Sequence, residues 1–216
     1  MGHVAQLELH PVKATVDPGR RFPQLIGGLA LYGASMAMLT RAGLGLDPWD
    51  VLHEGVMKQV GLSFGTVTGI ASLVVLLLWI PLRQRPGIGT VANVLIISVT
   101  VDAVRLVLPD QHDLFWQVVL LVGGVVLNAL ATATYVGARL GPGPRDGLMT
   151  GLAARTGWSV RLVRTLIEIV VLAGGWLLGG TVGLGTVLYA VSIGPLTQWM
   201  LGYVAWRPRS RGTTAG

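Results

Sequence analysis

Six long apolar runs separated by short polar breaks organise the chain, at about 22–40, 63–82, 88–108, 114–137, 160–179 and 182–205. A helix needs roughly 20 apolar residues to cross about 30 Å of hydrocarbon, so each run predicts a membrane span. The first and fifth runs are near that minimum and carry several glycines, which let helices pack closely in lipid. Pro81 and Pro109 fall where helices should stop. Trp79, Trp116, Trp199 and Trp206 lie near predicted span ends, where an aromatic belt would place them. Residues 1–21 lack sustained periodicity and predict a flexible tail, and 206–216 predicts a second, basic one. The first run is too long for the apolar core of a cleaved leader and reads as a retained span.

Between the first and second runs stands LGLDPWD (44–50), and between the fourth and fifth stands LGPGPRD (140–146). Sliding the chain against itself by 96 positions aligns these stretches without a gap. Gly45, Pro48, Asp50 and Gly55 then meet Gly141, Pro144, Asp146 and Gly151, while Gly61 and Ser63 meet Gly157 and Ser159. Gly87, Gly89 and Thr90 meet Gly183, Gly185 and Thr186. Shared apolar bias pairs leucines and valines; it does not pair Gly, Pro and Asp in fixed register. The chain therefore reads as an internal duplication, with a first membrane repeat at 22–108 and a second at 114–205. Three spans per copy is an odd number, so the copies enter from opposite sides and form inverted repeats.

Each motif also predicts a short helix, over 48–60 and 144–156. Asp47 and Gly143 are the N-caps, Pro48 and Pro144 take the first helical position, and Asp50 and Asp146 complement the exposed N–H groups. As a helix PWDVLHEGVMKQV is only about 20 Å long and carries His53, Glu54 and Lys58. It is interfacial or re-entrant rather than spanning.

Lysine and arginine set the orientation. One side holds Lys13, Arg20 and Arg21, Arg83 and Arg85, Arg139, Arg145, Arg155, Arg161 and Arg164, and Arg207, Arg209 and Arg211. The other holds Arg41, Lys58 and Arg105. Both termini are expected in the cytoplasm of a cell whose inner membrane the chain crosses several times.

Composition agrees. Hydrophobic residues make up 52% of the 216 and charged ones 12%, against about 25% charged in soluble domains; mean hydropathy is +0.65. The net charge of +6 forms no single patch and points to topology rather than nucleic acid. The absence of cysteine excludes disulfides and thiolate metal sites.

Polar residues within the runs are the remaining chemistry. Glu168 lies mid-run in IEIVVL, where an ionisable group costs roughly 3 kcal/mol on insertion scales and faces protein. Arg164, four residues earlier, is its predicted partner. Asn93 is equivalent to Tyr189, and Tyr32 to Asn128, so hydrogen-bonding groups recur at matching depths. Asp102 and Arg105 are spaced to pair. Asp50, Asp146, Glu168, Arg164, Asn93, Asn128 and Tyr189 are the candidate binding residues, with Gly45, Pro48, Gly141 and Pro144 building the helix starts. Two readings of the acids stand: caps and structural pairs, or a site between the repeats. GIGT (87–90) and GLGT (183–186) open runs instead of following strands, and GGVVLN and AGGWLLGG read as packing surfaces. No metal-ligand spacing, nucleophile or acid–base constellation supports an enzyme, and no cofactor is expected.

LGPGPRDGLM, RTG (155–157), Arg164 with Glu168 and GGTVGLGT (179–186), together with GLDPWDVLHEG and RPGIGT, resemble the YczE/YyaS/YitT-like family of bacterial integral membrane proteins. The resemblance spans roughly 25–200. It implies the same membrane topology and a transport-associated role, some members being similar to accessory factors of secondary-metabolite production. In size and span number the chain is also similar to substrate-capture subunits of energy-coupling-factor transporters. The expectation is an all-α, polytopic protein of about six transmembrane helices in two inverted three-helix repeats, each with a short interfacial or re-entrant helix. It would act as a small-molecule transporter or permease; the alternative is a non-transporting scaffold or accessory subunit of a larger complex. Expected partners are the lipid bilayer, an unknown small-molecule substrate, and either a second copy of the chain or a partner membrane subunit.

Overall fold

Local capping divides the chain before any packing is considered. The computed structural model describes residues 11–206, which form α1 (Pro18–Ala42), α2 (Pro48–Val60), α3 (Phe64–Leu82), α4 (Ile88–Val107), α5 (Leu114–Gly137), α6 (Pro144–Thr156), α7 (Val160–Leu177) and α8 (Leu184–Val204). Asp47 Oδ1 accepts from the N–H groups of Trp49 and Asp50, at 2.9 and 3.1 Å, to start α2. Ser63 and Ser159 start α3 and α7, each hydroxyl accepting from the N–H three residues on, of Thr66 and Leu162. Thr90 and Thr186 close the starts of α4 and α8 by accepting from Gly87 N–H and Gly183 N–H. Gly61 and Gly157 end α2 and α6 with φ of 68° and 73°, a conformation open to glycine. Equivalent positions thus perform equivalent capping.

Six long helices match the six apolar runs, and the two short helices match 48–60 and 144–156. Among the described residues, α1, α3, α4 and α5 are long and apolar enough to cross a membrane. The length of α7 would suffice, but Arg161, Arg164 and Glu168 dilute its apolar content; Pro195, Gln198 and two tyrosines do the same in α8.

Helices α1 and α5 pack antiparallel at the centre. Gln24 donates to Thr134 O at one end, Asn128 donates to Ser35 midway, and Gly124 lies against Leu39 at the other. Helix α4 flanks α1 as α8 flanks α5, while α2 packs on α7 and α6 on α3. Each half therefore lends its short helix to the other. Volumes are exchanged across these contacts: the Trp79 indole fills the space beside Gly147 and donates to Pro144 O at 3.0 Å, whereas Val51, equivalent to Gly147, lies against Gly175, equivalent to Trp79. Gly123, Gly124 and Gly175 are all used in such close packing.

Three expectations are corrected here. Residues 12–21 do not form a loose tail: α1 begins at Pro18 and Arg21 is fully buried. Its Nε donates to Ala138 O, Nη1 to Lys13 O and Val16 O, and Nη2 to Val12 O and Arg139 O. Arg21 also stands 5.0 Å over Trp206. The carbonyls at the end of α5, left without helical partners, draw the guanidinium in. Trp79 and Trp206 are consequently core residues rather than belt residues, while Trp116 and Trp199 are exposed. Asp102 accepts from Ser63 Oγ and Gly65 N–H instead of pairing with Arg105, which stacks on Phe64. Residues 1–10 and 207–216, and the tail expectations that fall on them, lie outside the described residues.

Candidate functional site

The two motif loops dock on helix starts of the opposite half, and this docking builds the site. Gly185 N–H donates to Leu44 O at 2.8 Å, and Gly89 N–H donates to Leu140 O at 3.0 Å, the same bond at equivalent positions. Gly45 and Gly141 carry φ of 117° and 132°. A Cβ on Gly45 would stand 2.7 Å from Gly183 N, so both conformation and contact require glycine there. This is the physical use of GIGT and GLGT: their small residues admit a loop, not a nucleotide.

Docked in this way, α2 and α6 point their N-termini at one another. Arg145, in the first turn of α6, brings Nη1 to 3.7 Å from Asp47 Oδ1 and Nη2 to 3.5 Å from Asp50 Oδ1. Its guanidinium lies 5.0 Å over the Trp49 ring. His53 Nδ1 stands 3.3 Å from Asp50 Oδ1 and 3.2 Å from Thr68 Oγ1, and Asp50 and His53 are completely enclosed. Buried charge on this scale is costly unless paired, and Arg145 is the group that pairs it.

A cavity of about 270 Å³ opens beside this cluster, bounded by Asp47 and Trp49, Arg145 and Asp146, and Arg164 and Glu168. A smaller polar cavity of about 70 Å³ holds Asn93 and shares Tyr32, Tyr135, Arg145 and Asp146 with the first. Tyr135 O–H donates to Asp146 Oδ2 at 3.3 Å. These two residues also border a third recess of about 490 Å³, beside Arg139, Gly141 and Pro142. They stand between the central cavity and that recess.

The candidate residues separate into three groups. Asp146, Arg164, Glu168 and Tyr189 line the central cavity, and Asn93 lines the smaller one. Glu168 is less enclosed than its mid-run position suggested: Arg164 Nε donates to it at 2.8 Å, with the two side chains 56% and 32% exposed. Asp50 sits behind Arg145, outside the lining. Asn128 is committed to its neighbours, donating to Ser35 and accepting from Tyr189 O–H at 2.9 Å, so it positions Tyr189 from behind. Pro48 and Pro144 begin the two short helices, as Gly45 and Gly141 seat their loops. Arg145, Asp47, Trp49 and Tyr135 were not among the candidates. The sequence carries a signal for Arg145, which corresponds to Trp49 under the 96-residue offset and directly precedes Asp146, but in sequence alone it resembles the positive charges that set topology.

A protein that exposes Leu106, Leu177 and Leu184 while enclosing Arg21, Asp50 and Asn128 is apolar outside and polar within, the reverse of a soluble globule. Together with four helices able to cross a bilayer, this defines a helical membrane protein. The chain belongs to the family of unknown function DUF6198, which it matches over residues 19–202. It is 38% identical to an uncharacterized protein of Haemophilus influenzae over 84% of that protein and 85% of its own length. It is 34% identical to the uncharacterized membrane protein YczE of Bacillus subtilis, with 79% of each chain covered. A further relative in Bacillus subtilis, the uncharacterized protein YyaS, is 24% identical over 74% of this chain and 82% of its own. No solved structure matches.

Proposed function

We propose that the chain is a small-molecule transporter or permease rather than an enzyme, crossing the cell membrane six times with both termini cytoplasmic. Its site lies between two inverted three-span repeats. The observation that carries the reading is the meeting of two short-helix starts, from opposite halves, at one polar cavity: Arg145 of α6 reaches Asp47 and Asp50 of α2. Broken helices approaching mid-membrane from opposite faces are the architecture in which transporters bind substrate, and irregular backbone at that depth has to line a cavity or be covered by protein. The antiparallel α1–α5 pair and the paired Leu44–Gly185 and Leu140–Gly89 bonds support inversion, one dock lying on each side of the site. A scaffold would need polar groups only where they bond one another. Here Asp47 Oδ2, Trp49 Nε1 and Thr197 Oγ1 are buried and without hydrogen-bond partners among the described residues, and all three residues line the cavity.

The chain has no cysteine, which makes the test direct. Thr197→Cys should react with a membrane-impermeant thiol reagent from either side of the membrane, because a transporter presents its site alternately to both. Reaction from one side alone, or from neither, would contradict transport and favour the accessory-subunit reading.

A further inference from the structure

Carboxyl groups outnumber basic groups around the central cavity. Asp47, Asp146 and Glu168 line it and Asp50 stands directly behind, whereas Arg145 and Arg164 are the basic groups facing them. Of the two helix starts, which would otherwise attract an anion, that of α2 is already capped by Asp47, and that of α6 carries Asp146 in its first turn. An anionic substrate would therefore meet carboxylates where a helix start ordinarily offers N–H groups.

Unused valences indicate what fits instead. Asp47 is 3% exposed and uses Oδ1 to cap α2, leaving Oδ2 with no partner among the described residues. Trp49 is 7% exposed, and its Nε1–H, a donor only, lacks an acceptor. Thr197 Oγ1 is likewise unpartnered. An unpartnered carboxyl oxygen and two unpartnered donors thus belong to residues that border the same small space. Among the described residues no three His, Cys, Asp or Glu side chains gather as a metal site requires, which directs the choice to an organic cation.

We propose that the central cavity takes a small organic ammonium compound that also bears a hydrogen-bond acceptor, in the class of amino alcohols. The ammonium group donates to Asp47 Oδ2, with the carboxyl groups of Asp146 and Glu168 bordering the same cavity. The acceptor oxygen receives Trp49 Nε1–H or the Thr197 hydroxyl. A volume of about 270 Å³ lies at the lower end of ligand pockets, which run from roughly 300 Å³ upward, and limits the compound to a small one. This names the substrate class of the transport reading and rests on it.

The test is thermal unfolding of the full chain purified in detergent, with ethanolammonium chloride, tetramethylammonium chloride, sodium acetate and glycerol as probes, each over a concentration series at fixed ionic strength and pH. Ethanolammonium should raise the unfolding temperature saturably, more than tetramethylammonium, which has no N–H or acceptor, and acetate and glycerol should leave it unmoved. Asp47→Asn keeps the N-cap, since asparagine caps as well as aspartate, and should weaken the apparent affinity at least tenfold while the protein alone still unfolds cooperatively. Glu168→Gln, at the half-exposed edge, serves as a second variant and should weaken it by a smaller factor. Stabilisation by acetate or glycerol in place of ethanolammonium overturns the cation assignment, and so does a wild-type affinity retained in Asp47→Asn. Equally, no response to any probe overturns it. Two-sided labelling of Thr197→Cys decides transport separately, so the two claims can fail independently.

Discussion

Arg145 stands 5.0 Å over the indole of Trp49, and the two residues hold the same position in the two halves of the chain. Positions that correspond under the 96-residue offset are thus a cation in one half and its aromatic platform in the other. Because the starts of α2 and α6 meet there, the difference between the halves is itself a contact. The same guanidinium reaches Asp47 and Asp50, making Arg145 the residue on which the polar centre depends.

Removing it should be costly. Arg145→Met leaves Asp47 and Asp50 enclosed without their counter-charge, and breaking a buried pair from one side costs about 3–5 kcal/mol. Adding Asp50→Asn should recover part of that loss. A double-mutant cycle by denaturant unfolding in detergent measures the coupling; additive effects would mean that the pair does not interact.

Arg21→Lys tests the clasp at the other end of α1. Lysine offers three donors on one point where the guanidinium bonds five carbonyl groups, one buried and four part-buried, leaving some of them without that donor at a cost of about 1–2 kcal/mol. The unfolding temperature should fall clearly. An unchanged value would show that residues 12–21 contribute nothing to the folded core.

The exchange of volumes between halves predicts a rescue. Gly147→Val places a side chain where the Trp79 ring lies and should destabilise the protein strongly. Combining it with Trp79→Gly rewrites the Val51–Gly175 arrangement into the other half, and stability should return in part despite the lost bond to Pro144. Thermal unfolding of the three variants decides whether the two contacts are equivalent.

How far the sequence could be read depended on how local each cause is. The short helices at 48–60 and 144–156 were legible to the residue because Asp47, Pro48, Gly61 and their equivalents act within one turn. The central cavity was only partly legible. Asp146, Glu168, Arg164 and Tyr189 advertise themselves as polar groups in apolar surroundings, but Arg145 and Arg21 look like the positive charges that mark cytoplasmic loops. What distinguishes them is a partner more than ninety residues away: Asp47 and Asp50 for Arg145, the end of α5 for Arg21. Trp79 misled for the same reason, its site being the gap left by a glycine on another helix.

Tyr135→Phe should loosen the boundary between the central cavity and the recess near Arg139. The variant keeps the ring and loses the hydroxyl that donates to Asp146. Labelling of Thr197→Cys from the side of the 139–143 loop should accelerate several-fold in the Phe background, with stability lowered by only about 1 kcal/mol. An unaltered labelling rate would remove Tyr135 from the boundary.

The central claim is that the halves lie inverted in the membrane, and one pair of positions tests it. Leu62 and Trp158 are equivalent, follow α2 and α6 respectively, and are 44% and 52% exposed. In intact cells, an impermeant thiol reagent should label Leu62→Cys and spare Trp158→Cys, and in inside-out vesicles the order should reverse. If both cysteines react from the same side, the halves are not inverted and the cavity between α2 and α6 is not a site shared by two opposed repeats.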